Sequence, residues 1–185
     1  MKDLKIVIAY ALFGLVLLGV CIWGITQDYK YGGNPEVEEV EEVIEVNQDA
    51  IDIVMYVHEV GKQEINAEKV LTLIDTLNVE HPHIVFAQMR LESGNFKSDL
   101  AKNNDNFFGM KYPRQRATVA QGVDRGGYAY YRSWSYSVLD YAIWQRRYAS
   151  GLTEDEYLEM LSEKYAEDKA YVKKVKSIAD SIKVE

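Results

Sequence analysis

The chain has 185 residues and a mass of 21.2 kDa, room for one domain of ordinary size with an appendage. Apolar residues make up 48% and charged residues 27%, which allows a packed core and excludes a wholly disordered chain. One cysteine excludes an internal disulfide framework and any Cys-rich zinc module, and a net charge of −8 argues against a nucleic-acid partner. The charge is uneven: residues 1–52 hold 10 acids and 3 bases, whereas 53–185 hold 19 acids and 18 bases. The acidity belongs to the appendage, and the remaining body is nearly neutral.

Ile6 to Ile25 is a run of twenty uncharged residues. As a helix it spans ~30 Å, the thickness of a bilayer's hydrocarbon core. Lys2 and Lys5 precede it, so the positive-inside tendency puts the N-terminus in the cytoplasm and the rest outside. A cleaved signal peptide wants a shorter apolar run and an A-x-A-like site, which is absent. A lipoprotein signal wants a small residue before the cysteine, but Val20 precedes Cys21 and the apolar run continues past it. An uncleaved anchor over residues 1–27 therefore fits best, with Cys21 a small apolar residue of the span. Residues 28–48 follow as an acidic linker, where Glu36–Val46 carries six glutamates and no base. Such a segment repels itself and reads as a tether reaching at most ~75 Å, with a short helix or partner-dependent coil as the alternative. The domain proper is expected over 49–185.

From Asp49 the pattern is helical. Ile53, Val54, Val57 and Val60 form one apolar stripe ended by Gly61, and Val70, Leu71, Ile74 and Leu77 form a second. Pro82 suits a first helical position, and the segment after it is apolar almost all round, which marks a buried helix stopped at Gly94. Residues 103–132 are punctuated by Asn, Gly and Pro, as in loops and a small hairpin. Helical spacing returns with Val138, Tyr141, Ala142, Tyr148 and Ala149. Thr153-Glu-Asp-Glu156 reads as a capping box, and Tyr171, Val175, Ile178, Ala179 and Ile182 form the last stripe. The expected fold is mainly α with a small β insertion.

The informative carboxylate is Glu92, in the last turn of the buried helix. Desolvation and the negative end of the helix dipole both favour its protonated form, the state a general acid needs when a glycosidic oxygen must leave. A glutamate capped by local backbone groups is the plain alternative. His58, His81 and His83 show no metal spacing with acidic partners, so neither a metal nor another cofactor is expected.

Around Glu92 the chain reads Gln88-Met-Arg-Leu-Glu92-Ser-Gly-Asn-Phe-Lys-Ser98, then Leu100-Ala101-Lys102, then Asn106-Phe-Phe-Gly-Met-Lys111. Further on come Tyr131-Arg-Ser133-Trp-Ser-Tyr-Ser137-Val-Leu-Asp140-Tyr-Ala and Tyr165-Ala166-Glu-Asp168-Lys-Ala-Tyr171-Val-Lys-Lys-Val175. These four ordered blocks resemble the glucosaminidase domains of glycoside hydrolase family 73. The resemblance implies a lysozyme-like α domain with a small β-hairpin lobe, cleaving the glycan strands of peptidoglycan after N-acetylglucosamine. It implies that Glu92 is the catalytic acid, Tyr131 an active-site tyrosine, and Asn106, Phe108 and Gly109 the floor of the cleft. With the anchor, it places the domain outside the cytoplasmic membrane, on the periplasmic or cell-wall side.

Two departures bear on mechanism. Many relatives carry tryptophan where Asn95 stands, and many carry a second glutamate on the hairpin, where Asp124 is the only carboxylate. Either Asp124 swings in as base, or the substrate's own 2-acetamido group supplies the nucleophile and Asp124 is a turn residue. Eleven of the 22 aromatic residues lie between Phe107 and Tyr148, and Tyr112, Tyr128, Tyr130 and Trp134 are candidates to stack on sugar faces. A muramidase or lytic transglycosylase shares the lone glutamate before serine, but usually with a G-L-M-Q type segment where Asn106-Phe-Phe-Gly-Met-Lys111 stands. A catalytically silent wall-binding module is the remaining reading. Oligomeric state has no signature in the sequence.

Overall fold

The computed structural model describes residues 47–164 and 170–182. The apolar span and the acidic tether up to residue 46 lie outside the described residues, as do residues 165–169 of the closing motif. Among the described residues no helix is long and apolar enough to cross a membrane. The chain divides into two compact units, Met1–Met55 and Tyr56–Glu185. In the first, the Asn47 side chain caps the start of α1 (Gln48–Gly61), accepting from the Ala50 N–H at 3.3 Å. Ala50 is buried there, whereas Ile51, Val54 and Met55 are exposed, so Val54 departs from the stripe its spacing implies.

The second unit is mainly helical with one small sheet. After the end of α1 come α2 (Ala67–Thr76), α3 (Pro82–Glu92), α4 (Asp99–Asn104), β1 (Gly122–Val123), β2 (Ala129–Tyr130), α5 (Trp134–Tyr148), α6 (Glu154–Lys164) and α7 (Tyr171–Ile182). Local chemistry starts these helices. Asn66 accepts from the Lys69 N–H at the head of α2, and Pro82 opens α3, where its missing N–H costs no helical bond. Thr153 and Glu156 form a reciprocal capping box before α6. Ser98 caps α4 by accepting from Ala101. At six residues α4 is too short to show a period in the sequence.

α3 is the axis of the unit. Ile84 through Met89 are all buried, because α7 packs along one side of the helix and α2 along another. Each fully buried large apolar side chain here stabilises the fold by about 1.5–3 kcal/mol. α5 packs on α2 and α6 on α7. Gly61 marks the close approach of the end of α1 to the start of α5. A Cβ there would overlap the Ser133 and Ser135 hydroxyls, and the Ser135 hydroxyl donates to the Val57 carbonyl at 2.7 Å. Tyr148, placed by its spacing on a buried stripe, is exposed at the end of α5.

The sheet is a hairpin in the register Gly122↔Tyr130 and Val123↔Ala129, extended by an antiparallel bridge between Lys111 and Tyr128. The Tyr130 ring lies where a side chain at 122 would stand, so glycine there accepts the aromatic from the opposite strand.

Candidate active site

Glu92 is the final residue of α3, and the chain reverses immediately after it. Gly94, Asn95 and Phe96 all adopt left-handed backbone, with φ of 55°, 55° and 68°. Glycine does so freely, but for phenylalanine this is a strained state that persists only when its surroundings enforce it. Here they do. The buried Ser93 hydroxyl donates to the Met89 carbonyl and accepts from the Phe96 N–H, while the Asn95 N–H donates to the Arg90 carbonyl. The Arg90 guanidinium donates to the Asn95 side chain at 2.9 Å, and the Phe96 ring packs near Phe86 and Phe107. The backbone that carries Glu92 is therefore fixed on both sides. Asn95 is the acceptor that holds Arg90.

Two influences set the acidity of Glu92. Burial is the larger and pushes its carboxyl up from the usual range, while a hydrogen bond from the Tyr171 hydroxyl on α7 pulls it back down. Gly109 lies against the carboxyl: a Cβ at that position would stand 3.5 Å from Glu92 Oε2. Its φ of 64° also needs glycine. Gly109→Ala is therefore expected to cost about 1–2 kcal/mol of stability through left-handed strain. It also lays a methyl group against Glu92 Oε2. Thermal unfolding should show the first effect, and kcat/KM reduced several-fold the second.

Asn106 and Phe108, expected at the floor of the cleft, are each 1% exposed. The Asn106 amide donates to the Met110 and Ala129 carbonyls, both at 2.8 Å, and its oxygen accepts from the Met110 N–H. Phe108 stacks on Tyr141 with ring centroids 4.0 Å apart.

Asp124 closes the hairpin turn. Its carboxylate accepts from the Tyr128 and Gly126 N–H groups and from Asn104 Nδ2, all within 2.9 Å. The Tyr128 N–H, then the Asn104 amide, hold its carboxyl below the usual range. These oxygens are spoken for by the turn, as its flanking glycines imply. Tyr131 is buried, and its hydroxyl donates to Asp140 Oδ2 at 2.9 Å. Asp140, fully buried on α5, also takes a two-pronged ion pair from Arg116 at 2.7 and 3.0 Å and hydrogen bonds from the Thr118 hydroxyl and the Val119 N–H. One carboxylate thus fastens the 116–119 loop and Tyr131 to α5.

Of the four aromatic candidates, Tyr112 and Tyr130 are 39% and 38% exposed. Tyr128 is half-buried with the Lys111 ammonium 3.3 Å above its ring. Trp134, the fourth candidate, is 4% exposed and its indole N–H donates to the Gln63 carbonyl. Tyr171, which the sequence places on an apolar stripe, and Asp140 are the further polar partners of the site. The available signal for Asp140 was a charge set between Leu139 and Tyr141 on a buried helical face. Asp105 is a further half-buried carboxyl, in left-handed backbone at the end of α4, and burial pushes it up. Among the described residues no cluster of His, Cys, Asp or Glu could hold a metal ion.

Comparison with known proteins adds the family. Residues 67–184 match the glucosaminidase family, described as mannosyl-glycoprotein endo-beta-N-acetylglucosaminidase. No curated protein matches significantly. Among solved structures, the chain is similar to one from a type VI secretion system effector-immunity complex of Pseudomonas protegens. That match has 15% identity and a TM-score of 0.49, covering 74% of this chain and 93% of the other. It is also similar to the catalytic domain of the autolysin Auto of Listeria monocytogenes, with 19% identity and a TM-score of 0.42, covering 85% and 90%. The family match is one of sequence. With that match spanning most of the chain, including Glu92 and the residues around it, the protein belongs to the glucosaminidase family of glycoside hydrolases.

Proposed function

We propose that this protein is a peptidoglycan hydrolase, an endo-β-N-acetylglucosaminidase on a lysozyme-like domain, with Glu92 as its general acid. The observation that carries this reading is the Glu92 carboxyl: burial favours its protonated form, and it lies beside Gly109 with a Tyr171 hydroxyl bound to it. In this reading Glu92 gives its proton to the departing glycosidic oxygen as the bond to C1 breaks. The oxygen of the substrate's 2-acetamido group closes on C1, and Glu92 then accepts a proton from the water that opens the resulting ring. The engagement of Asp124 by its turn favours this assisted route over a second carboxylate. Asp124→Asn is accordingly expected to change kcat by less than about tenfold, whereas loss of a true base costs ~100-fold or more.

Tyr131 supports the reaction by position, since its hydroxyl is held by Asp140, and the exposed rings of Tyr112 and Tyr130 offer faces for sugars. Residues 1–27 serve as the anchor and 28–48 as the tether that keeps the domain on the periplasmic or cell-wall side. Retention in membranes after alkaline washing, with an N-terminus at or near Met1, tests this topology. Digestion of purified peptidoglycan, with mass spectrometry of the new reducing ends, tests the activity. A reducing GlcNAc is the expected product. A reducing or anhydro MurNAc would show a muramidase or transglycosylase, and no product a silent module.

A further inference from the structure

Behind Glu92 lies a buried polar network that the mechanism above does not use. Gln88, one helical turn before Glu92 on α3, is fully buried. A side-chain amide has a carbonyl end that accepts and an NH2 end that donates, and inside a core its orientation is set by its partners. The carbonyl of Gln88 accepts from the Tyr141 hydroxyl of α5 at 2.8 Å and from the Tyr157 hydroxyl of α6 at 3.0 Å. Those two hydroxyls also contact each other. The amide nitrogen faces the other way and donates to the Tyr171 oxygen at 3.4 Å. Tyr171, accepting a hydrogen bond from the Gln88 amide, donates one of its own to Glu92.

The direction of donation has a chemical consequence. A carboxylic acid carries its proton on one of two oxygens, and the oxygen that accepts from Tyr171 is the poorer place for it. We propose that Gln88 is a positioning residue for the reaction: aligned by Tyr141 and Tyr157, its amide turns the Tyr171 hydroxyl outward, so that the acid's proton stays on the Glu92 oxygen that Tyr171 does not occupy. The proposal rests on Glu92 being the acid. The titratable groups around the network are Tyr141, Tyr157, Tyr171, Glu92, His81, whose ring lies 5.1 Å from that of Tyr157, and Glu80, which acts on Tyr157 through space. Burial pushes the Tyr157 hydroxyl up to about 12, so it stays a neutral donor wherever Glu92 titrates.

The test uses the full chain and purified peptidoglycan glycan strands, with kcat and KM measured across pH and the Glu92 carboxyl followed by 13C NMR. Gln88→Met keeps length and volume but loses the amide, and Tyr171→Phe loses the hydroxyl. Each is expected to lower kcat by ~10-fold with KM within about twofold, the scale of one preorganised polar group. Tyr171's donation favours the carboxylate, so losing its alignment raises the Glu92 pKa and moves the alkaline limb of the profile to higher pH. The double variant should be no slower than Tyr171→Phe alone, because both remove one chain of interactions. A folded Gln88→Met enzyme with unchanged kcat and profile, or a double variant whose losses multiply, overturns the proposal. Where Gln88→Met does not fold, Tyr157→Phe carries the same test, with a smaller shift in the same direction expected and an unchanged profile fatal. Glu92→Gln measured alongside separates the two ideas. If it keeps activity, the acid assignment fails and the proposal with it; if it is dead while Gln88→Met is unaffected, only the positioning role fails.

Discussion

Glu92→Gln is expected to lose at least ~100-fold in kcat on peptidoglycan glycan strands while the helical domain stays folded. The amide keeps the size of the acid and can still accept from Tyr171, but it has no acidic proton to give to a leaving oxygen. The same variant should be more stable than the parent, and the pH dependence gives the sign. Burial holds the native carboxyl above its unfolded value of 4.5, so ionising it costs the native state stability. That cost is fully present above the folded pKa and vanishes as pH falls below the unfolded one. Thermal unfolding should therefore show Glu92→Gln ahead of the parent at pH 8, with the gap closing toward pH 4. Activity within a few-fold of the parent would remove Glu92 from the mechanism, and a constant gap across pH would contradict its burial.

Asp140→Asn is expected to be the most destabilising single substitution on the β-lobe side of the site, at about 3–5 kcal/mol. The Asp140 side chain is 0% exposed and its Arg116 partner 4%, so removing the charge leaves a guanidinium buried without its counter-ion. The same oxygens also bind Thr118, Val119 and Tyr131, so the loop and the tyrosine come loose together. Denaturant unfolding measures the loss. A midpoint shift worth less than about 1 kcal/mol would mean that the pair is solvated in solution and behaves as a surface ion pair.

Much of the helical framework was legible in the sequence because its signals are local. Pro82, the Thr153–Glu156 box and the unbroken apolar run of α3 each act within a few residues of where they stand. Where the sequence is silent, the deciding contact is distant. Trp134 and Tyr130 are both aromatic residues beside turns, but one meets the Gln63 carbonyl 71 residues away and the other faces solvent. The site divides in the same way. Glu92 announces itself as an acid at the end of an apolar helix, and the glycines around Asp124 already imply a turn. The partnership of Gln88 with Tyr141, Tyr157 and Tyr171 spans separations of 53, 69 and 83 residues. No periodicity encodes contacts at that range.

A hairpin with two residues in each strand has almost no stability of its own in water. Asn106 changes its standing, because one buried amide ties the chain at Met110 to the strand at Ala129. The Ala129 N–H in turn donates to the Met110 carbonyl at 3.0 Å. The lobe therefore cannot open as an independent foldon without leaving the polar atoms of Asn106 stranded in the core. In hydrogen–deuterium exchange, the Met110 and Ala129 amides belong with the slow helical core and not with the loops that surround them. The hairpin edge of this domain unfolds only when the whole domain does.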